Sequence, residues 1–89
     1  MALVFLPTQL QALAGGLTQV EIDGVTLRDV IDELLRRHPA LRPVVIDEQG
    51  ELRSHMAIAV DGEIAAAGLR EQLAGQPEIH FVMAIRGGM

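Results

Sequence analysis

The chain has 89 residues, of which 49% are hydrophobic, so it fits one small domain with a real core. The formal charge is −5, which argues against nucleic acid as a partner, because a basic face supplies most of that affinity. Cysteine and lysine are both missing, which excludes disulfides, zinc–thiolate sites, a thiol nucleophile and a side-chain amine that could accept a conjugate. Phe5 and Phe81 are the only aromatic residues, so aliphatic side chains must fill the interior. The negative charge suits a partner with a basic docking surface, and it equally serves solubility. Ala2 to Leu6 is short and no basic region precedes it, and no apolar run approaches a membrane span, so a soluble, cytoplasmic protein is the expectation.

In chain order, Ala2 to Leu6 reads as a strand with two apolar faces, hence a central one, stopped by Pro7. Thr8 to Ala14 fits one or two helical turns or an irregular loop, ended by Gly15-Gly16. Leu17 to Asp23 alternates, with Val20 and Ile22 on one face, and pairs most simply with the first strand. Thr26 opens the clearest helix. It is a good N-cap, with Asp29 three residues on as a capping box, and Leu27, Val30, Ile31, Leu34 and Leu35 share one face. Asp32–Arg36 and Glu33–Arg37 are i,i+4 pairs in the favourable order. Pro39 stops the helix near His38.

Leu41 to Ile46, interrupted by Pro43, reads as an extended segment or edge strand. Asp47-Glu48-Gln49-Gly50 is turn chemistry. Met56 to Val60 is a short strand, and Asp61-Gly62 is a two-residue hairpin signal leading to Glu63-Ile64. Leu69 and Leu73 suggest a helical turn on the core. Glu78 to Ile85 is the last strand, with Ile79, Phe81, Met83 and Ile85 facing one way and His80, Val82 and Ala84 the other, and it too reads as central.

Together these elements predict an α+β fold. A mixed β-sheet has its first and last strands adjacent and parallel, and one main helix packs across it. This is the β-grasp arrangement of ubiquitin-like proteins. Residues 1–85 form that domain, and 86–89 form a flexible C-terminal tail carrying a diglycine.

No catalytic constellation emerges. His38, His55 and His80 sit on separate elements without ligand spacing, so no metal site is expected. The carboxylates are scattered over solvated faces, no nucleophile is paired with a base, and Gly15-Gly16 lacks the spacing and lysine of a phosphate loop. The pattern that stands out is Arg86-Gly87-Gly88, followed by Met89. Two glycines lose much entropy on ordering and bury nothing, but they make a thin backbone that can enter a narrow channel. A frayed chain end is the other reading of the same residues.

Beyond these local signals, the chain resembles the MoaD/ThiS family of small sulfur carriers over nearly its whole length. Phe5-Leu6-Pro7-Thr8 with Leu10 and Gly15-Gly16 is similar to that family's opening, and Thr26-Leu27-Arg28-Asp29-Val30-Ile31 to its helix start. Val60-Asp61-Gly62-Glu63 is similar to its hairpin, and Glu78-Ile79-His80-Phe81 leading to Gly87-Gly88 to its close. Met83 stands where many relatives carry proline, and Ile85-Arg86-Gly87-Gly88 also resembles the ending of ubiquitin.

The resemblance implies a protein that is not itself an enzyme and binds no cofactor. Gly88 would be adenylated by a ThiF/MoeB-like activating enzyme using ATP, then converted to a thiocarboxylate that donates sulfur to a sulfur-accepting synthase. Gly87 and Arg86 would lie in the partner's channel. Met89 would be removed first, as a JAMM-type metalloprotease does for some relatives. A protein modifier joined through Gly88, or a ubiquitin-like subunit without chemistry, are the alternatives.

Overall fold

The structure is a computed structural model that describes residues 1–83. Strand β1 (Ala2–Phe5) is followed by a short helix α1 (Thr8–Gln11) and a 3-10 turn at Ala12–Ala14. Gly15 then takes the left-handed conformation, φ 67°, which ends the turn where the sequence placed its stop. Next come β2 (Gln19–Ile22), the main helix α2 (Leu27–Arg37), α3 (Arg42–Val45), β3 (Met56–Val60), β4 (Glu63–Ile64) and β5 (Glu78–Met83). The strands form one mixed sheet in the order β2-β1-β5-β3-β4. β1 runs parallel to β5 and antiparallel to β2, while β3 runs antiparallel to both β5 and β4. With α2 against one face, this is the ubiquitin-like β-grasp expected from the sequence.

Helix α2 forms where the capping residues and the apolar stripe agree. The backbone N–H of Asp29 donates to the Thr26 hydroxyl at 3.2 Å, and the Thr26 N–H donates to the Asp29 carboxylate at 3.1 Å, closing both halves of the capping box. These contacts, with a further N–H from Val25, hold the Asp29 carboxyl below its ordinary value. Leu27, Val30, Ile31, Leu34 and Leu35 are all buried, against Val4, Ile58, Ile79 and Phe81 from the sheet in one continuous core. The helix entry is also tied to the chain beyond β4: Leu27 N–H donates to the Glu71 carbonyl and Leu73 N–H to the Val25 carbonyl, both at 2.9 Å. Gly24 is needed at the same corner. A Cβ there would come within 2.7 Å of Val30 Cγ2.

The structure corrects three expectations. Residues 41–46 are not an extended strand. Pro39–Leu41 is a 3-10 turn and Arg42–Val45 a helical turn, burying Leu41 and Val45. Pro43 is in its first turn, where a missing N–H leaves no bond unmade. On α2, Arg36 pairs with Glu33 at 2.6 Å rather than with Asp32, and Arg37 joins the same carboxylate at 2.9 Å. One carboxylate between two guanidinium groups, three and four residues on, can serve both. Finally, β1 and β5 are central in the sheet but do not bury two faces. β5 alternates buried and exposed, with Ile79 and Phe81 inside and Val82 41% exposed. No described helix covers its outer side, since the core gathers on the α2 side. β1 ends at Phe5 rather than Leu6, and residues 84–85 of the expected last strand lie outside the described residues.

Two outcomes follow from this packing. Leu34→Ala, at a fully buried site, should destabilise the fold by about 2–5 kcal/mol in denaturant unfolding, through lost burial and a cavity. Glu33 has its pKa lowered from 4.5 to about 2 by hydrogen bonds from Arg36 and then Arg37. Because the folded value is the lower one, this stabilisation is present above pH 4.5 and is lost as pH falls towards 2. The stability difference between the wild type and Glu33→Gln should therefore shrink across that window when thermal unfolding is followed against pH.

Candidate functional site

The end of β5 is the place from which the Arg86-Gly87-Gly88 segment departs in sequence. Arg86, Gly87, Gly88 and Met89, the site residues expected from the sequence, lie outside the described residues. What the structure does define is their anchor. β5 is hydrogen-bonded on both edges, to β1 from Leu3↔Glu78 to Phe5↔His80 and to β3 from Val60↔Ile79 to Met56↔Met83. A strand held on two sides cannot slip by one residue without moving Ile79 and Phe81 out of the core. The position of Met83 is therefore set by the whole sheet.

The start of β5 is locked by the β3–β4 hairpin. Asp61 and Gly62 both have positive φ, 51° and 88°, as a two-residue turn of this hand requires. Asp61 N–H donates to the Glu78 carbonyl at 2.8 Å, and the Glu78 N–H donates to Asp61 Oδ1 at 2.9 Å. The hairpin signal read from the sequence thus has a second role that sequence reading missed, because the partner strand is seventeen residues away.

On the outer face, the register sets Phe5 beside His80 and Ala59 beside both His80 and Ile64. The Phe5 and His80 rings stack in parallel, centroids 4.5 Å apart and planes within 3°. His80 Nε2 lies 3.9 Å from a Glu78 carboxylate oxygen. This outer row was not recognised in the sequence. The alternation of β5 signalled that His80 and Val82 share a face, but only the pairing offset brings Phe5 to them.

Other features offer no chemistry at this end. Among the described residues, no group of His, Asp and Glu could hold a metal ion, and no helix is long and apolar enough to cross a membrane. A cleft of about 500 Å³ is lined by Arg28, Glu51, Leu52 and residues 67–70, with no residue of β5. There Arg28 donates to the Gly50 carbonyl at 3.3 Å and lies 3.7 Å from Glu51, fastening the Asp47–Gly50 turn to the helix.

The fold is shared with known proteins. The sequence model of the ThiS family matches residues 4–88, nearly the full chain. The chain belongs to the ThiS family. Small archaeal modifier protein 1 of Haloferax volcanii is 37% identical over 81 residues, which span 89% of this chain and 91% of the relative. The crystal structure of that protein superposes with a TM-score of 0.79 at 35% identity, covering 98% of each chain. A chain of the Amycolatopsis orientalis BexX/CysO complex superposes with a TM-score of 0.88 at 26% identity, covering 99% of this chain and all of that one. Mycobacterium tuberculosis CysO gives 0.86 at 26% identity, over 96% of this chain. This ThiS-family chain is thus a homologue of small ubiquitin-like carriers and modifiers.

The Asp61 contacts yield a test of the anchor. Asp61→Ala removes the acceptor for the Glu78 N–H and puts a β-carbon residue without local hydrogen bonding at a positive φ. It should cost about 1–3 kcal/mol and lower hydrogen-exchange protection at the start of β5 more than in α2.

Proposed function

We propose that this ThiS-family chain is a sulfur carrier whose Gly88, once Met89 is removed, is activated and converted to a thiocarboxylate. What supports this reading is that the family match runs through residue 88, taking in Gly87 and Gly88 and stopping short of Met89. A body without cysteine, with no metal-binding group among its described residues, suits a carrier whose reactive group is made on the main chain.

A carboxylate is a poor acyl donor because its leaving group would be oxide. In the proposed route, a carboxylate oxygen of Gly88 attacks the α-phosphorus of ATP held by a ThiF/MoeB-like activating enzyme, and pyrophosphate leaves. Hydrosulfide then attacks the acyl carbon, AMP departs and the sulfur loses its proton, leaving a C-terminal thiocarboxylate. That group is anionic at neutral pH and nucleophilic at sulfur, so a synthase can take the sulfur into a small-molecule product. Gly87, with no side chain, lets the terminus enter a narrow channel, and Arg86 contributes a charge at its mouth. Removal of Met89 is assigned to a metalloprotease of the JAMM type, since Gly88 has no free carboxylate while Met89 remains.

One observation favours a second use of the same terminus: the 37% identical relative is called a modifier. In that role Gly88 would be joined to amines of other proteins. Without lysine, this chain would act as a donor and offer no side-chain amine as an acceptor.

Intact-mass measurement of protein taken from its native cell tests the proposal. The expected species ends at Gly88, with a fraction carrying sulfur in place of one carboxylate oxygen. Adducts on target lysines that survive reduction and denaturation would favour the modifier role. Protein that always retains Met89 would overturn both.

A further inference from the structure

We infer that the free edge of β2 is a self-association surface. A second copy of this chain adds its own β2 there, antiparallel about Val20, and joins the two five-stranded sheets into one. The inference is independent of the reading of Gly88.

Three observations carry it. The first is which backbone groups the edge leaves open. Leu6 N–H donates to the Thr18 carbonyl at 2.9 Å, continuing the β1–β2 register. Hydrogen-bonded and non-hydrogen-bonded pairs alternate along an antiparallel ladder. Val4–Val20 and Ala2–Ile22 are therefore the bonded pairs, while Gln19 and Glu21 turn their N–H and C=O groups away from β1. Leu3, opposite Glu21, accordingly donates its N–H across to the Pro77 carbonyl at 3.0 Å. β2 is outermost in the sheet, so no described strand takes these groups. Among the described residues only Arg37 reaches them, 3.3 Å from the Glu21 carbonyl, which has a second lone pair to offer.

The second is self-complementarity. With Val20 opposite Val20 of the second copy, Gln19 faces Glu21 and Glu21 faces Gln19. Every open N–H then meets an open carbonyl. On the exposed side, each Gln19 carboxamide lies opposite a Glu21 carboxylate, a donor against an acceptor. A register centred on Glu21 would instead set two carboxylates opposite each other, which is destabilising. One centred on Gln19 would leave Glu21 facing Leu17, beyond the strand. Val20 is half-buried and packed against the core, and its copy covers what remains of its surface.

The third is how little guards this edge. Edge strands are commonly blunted by proline, a bulge, lysine or brevity. β2 carries neither proline nor lysine, and its register with β1 runs unbroken over Gln19–Ile22. The other edge strand, β4, is only two residues long. A contact of four residues on each side is small, so the dimer is weak and reversible. Its two-fold axis stands normal to the sheet, which puts both α2 helices on one side. The two β5 strands then run in opposite directions, five strand spacings or about 24 Å apart. The chain beyond Met83 continues from opposite ends of the joined sheet.

Sedimentation equilibrium of the full chain, from about 10 μM to about 2 mM, should show a monomer–dimer equilibrium. Over the same range, amide exchange should slow at Gln19 and Glu21 but not at Val20, whose N–H is already bonded within the chain. Gln19→Glu sets like charges opposite each other twice and should raise Kd about three- to tenfold, while Gln19→Arg should lower it by a similar factor. Gln49→Glu, the same charge change on an exposed turn, should stay within about twofold. The chain has no cysteine, so Val20→Cys can form only a disulfide with its own copy. At a non-hydrogen-bonded antiparallel pair the Cα atoms are about 4.5 Å apart, within disulfide range. Air oxidation should therefore lock Val20→Cys as a covalent dimer and leave Val60→Cys, half-buried on β3, a monomer. Thermal unfolding of each variant separates association from folding. Two Gln19 variants that shift Kd the same way, or a dimer that Val20→Cys does not lock, would overturn the inference. So would a chain that stays monomeric at the highest concentration, which would leave the edge to a strand of another protein.

Discussion

The structure depends on the pairing of β5 between β1 and β3. The last described strand is joined in parallel to the first, so the two ends of the domain are held together by one ladder. A connection of this kind has to be closed at the cost of ordering everything between its ends, and burial supplies the return. Ile79 and Phe81 on β5, Val4 on β1 and Ile58 on β3 all reach the same core as the five aliphatic residues of α2. Each contributes up to about 1.5–3 kcal/mol relative to exposure in water. Among the described residues, no polar or charged residue is buried, and no buried side-chain nitrogen or oxygen is without a partner.

Around that pairing, local devices set orientation rather than supply most of the stability. The Thr26–Asp29 box begins α2 at a fixed residue, Gly24 lets the chain turn beneath Val30, and the 71–73 segment bonds the helix entry to the far side of the chain. The Asp61–Glu78 contacts do the same for the start of β5. The Glu33–Arg36–Arg37 cluster lies at the surface, where water screens it and its worth is small. The fold is thus a clamp with one face closed by a helix and, among the described residues, one left bare.

Much of this was legible in the sequence because the signals were local. Leu27 to Leu35 at helical spacing after Thr26, the Asp61-Gly62 pair, and Gly15-Gly16 after a short helical stretch each describe a conformation that neighbouring residues alone can impose. Pro43 misled for the same reason. A proline within an apolar run is compatible with an edge strand or with the first turn of a helix, and nothing nearby separates the two. Burial of Leu41 and Val45 in the core decided for the helix. The choice of Glu33 over Asp32 by Arg36 depended on side-chain rotamers, which spacing does not encode.

The sequence by itself determined the main helix and its cap, the strands of the sheet to within a residue or two, the Asp61-Gly62 turn, and that the chain lacks cysteine thiols and lysine amines. Those properties depend on residue type and on separations of a few positions. Only the tertiary structure decided that β1 and β5 are central yet exposed on one side, and that Phe5 lies flat against His80. Those facts come from strand order and register, which join residues seventy-five positions apart, and no periodicity within either strand contains them.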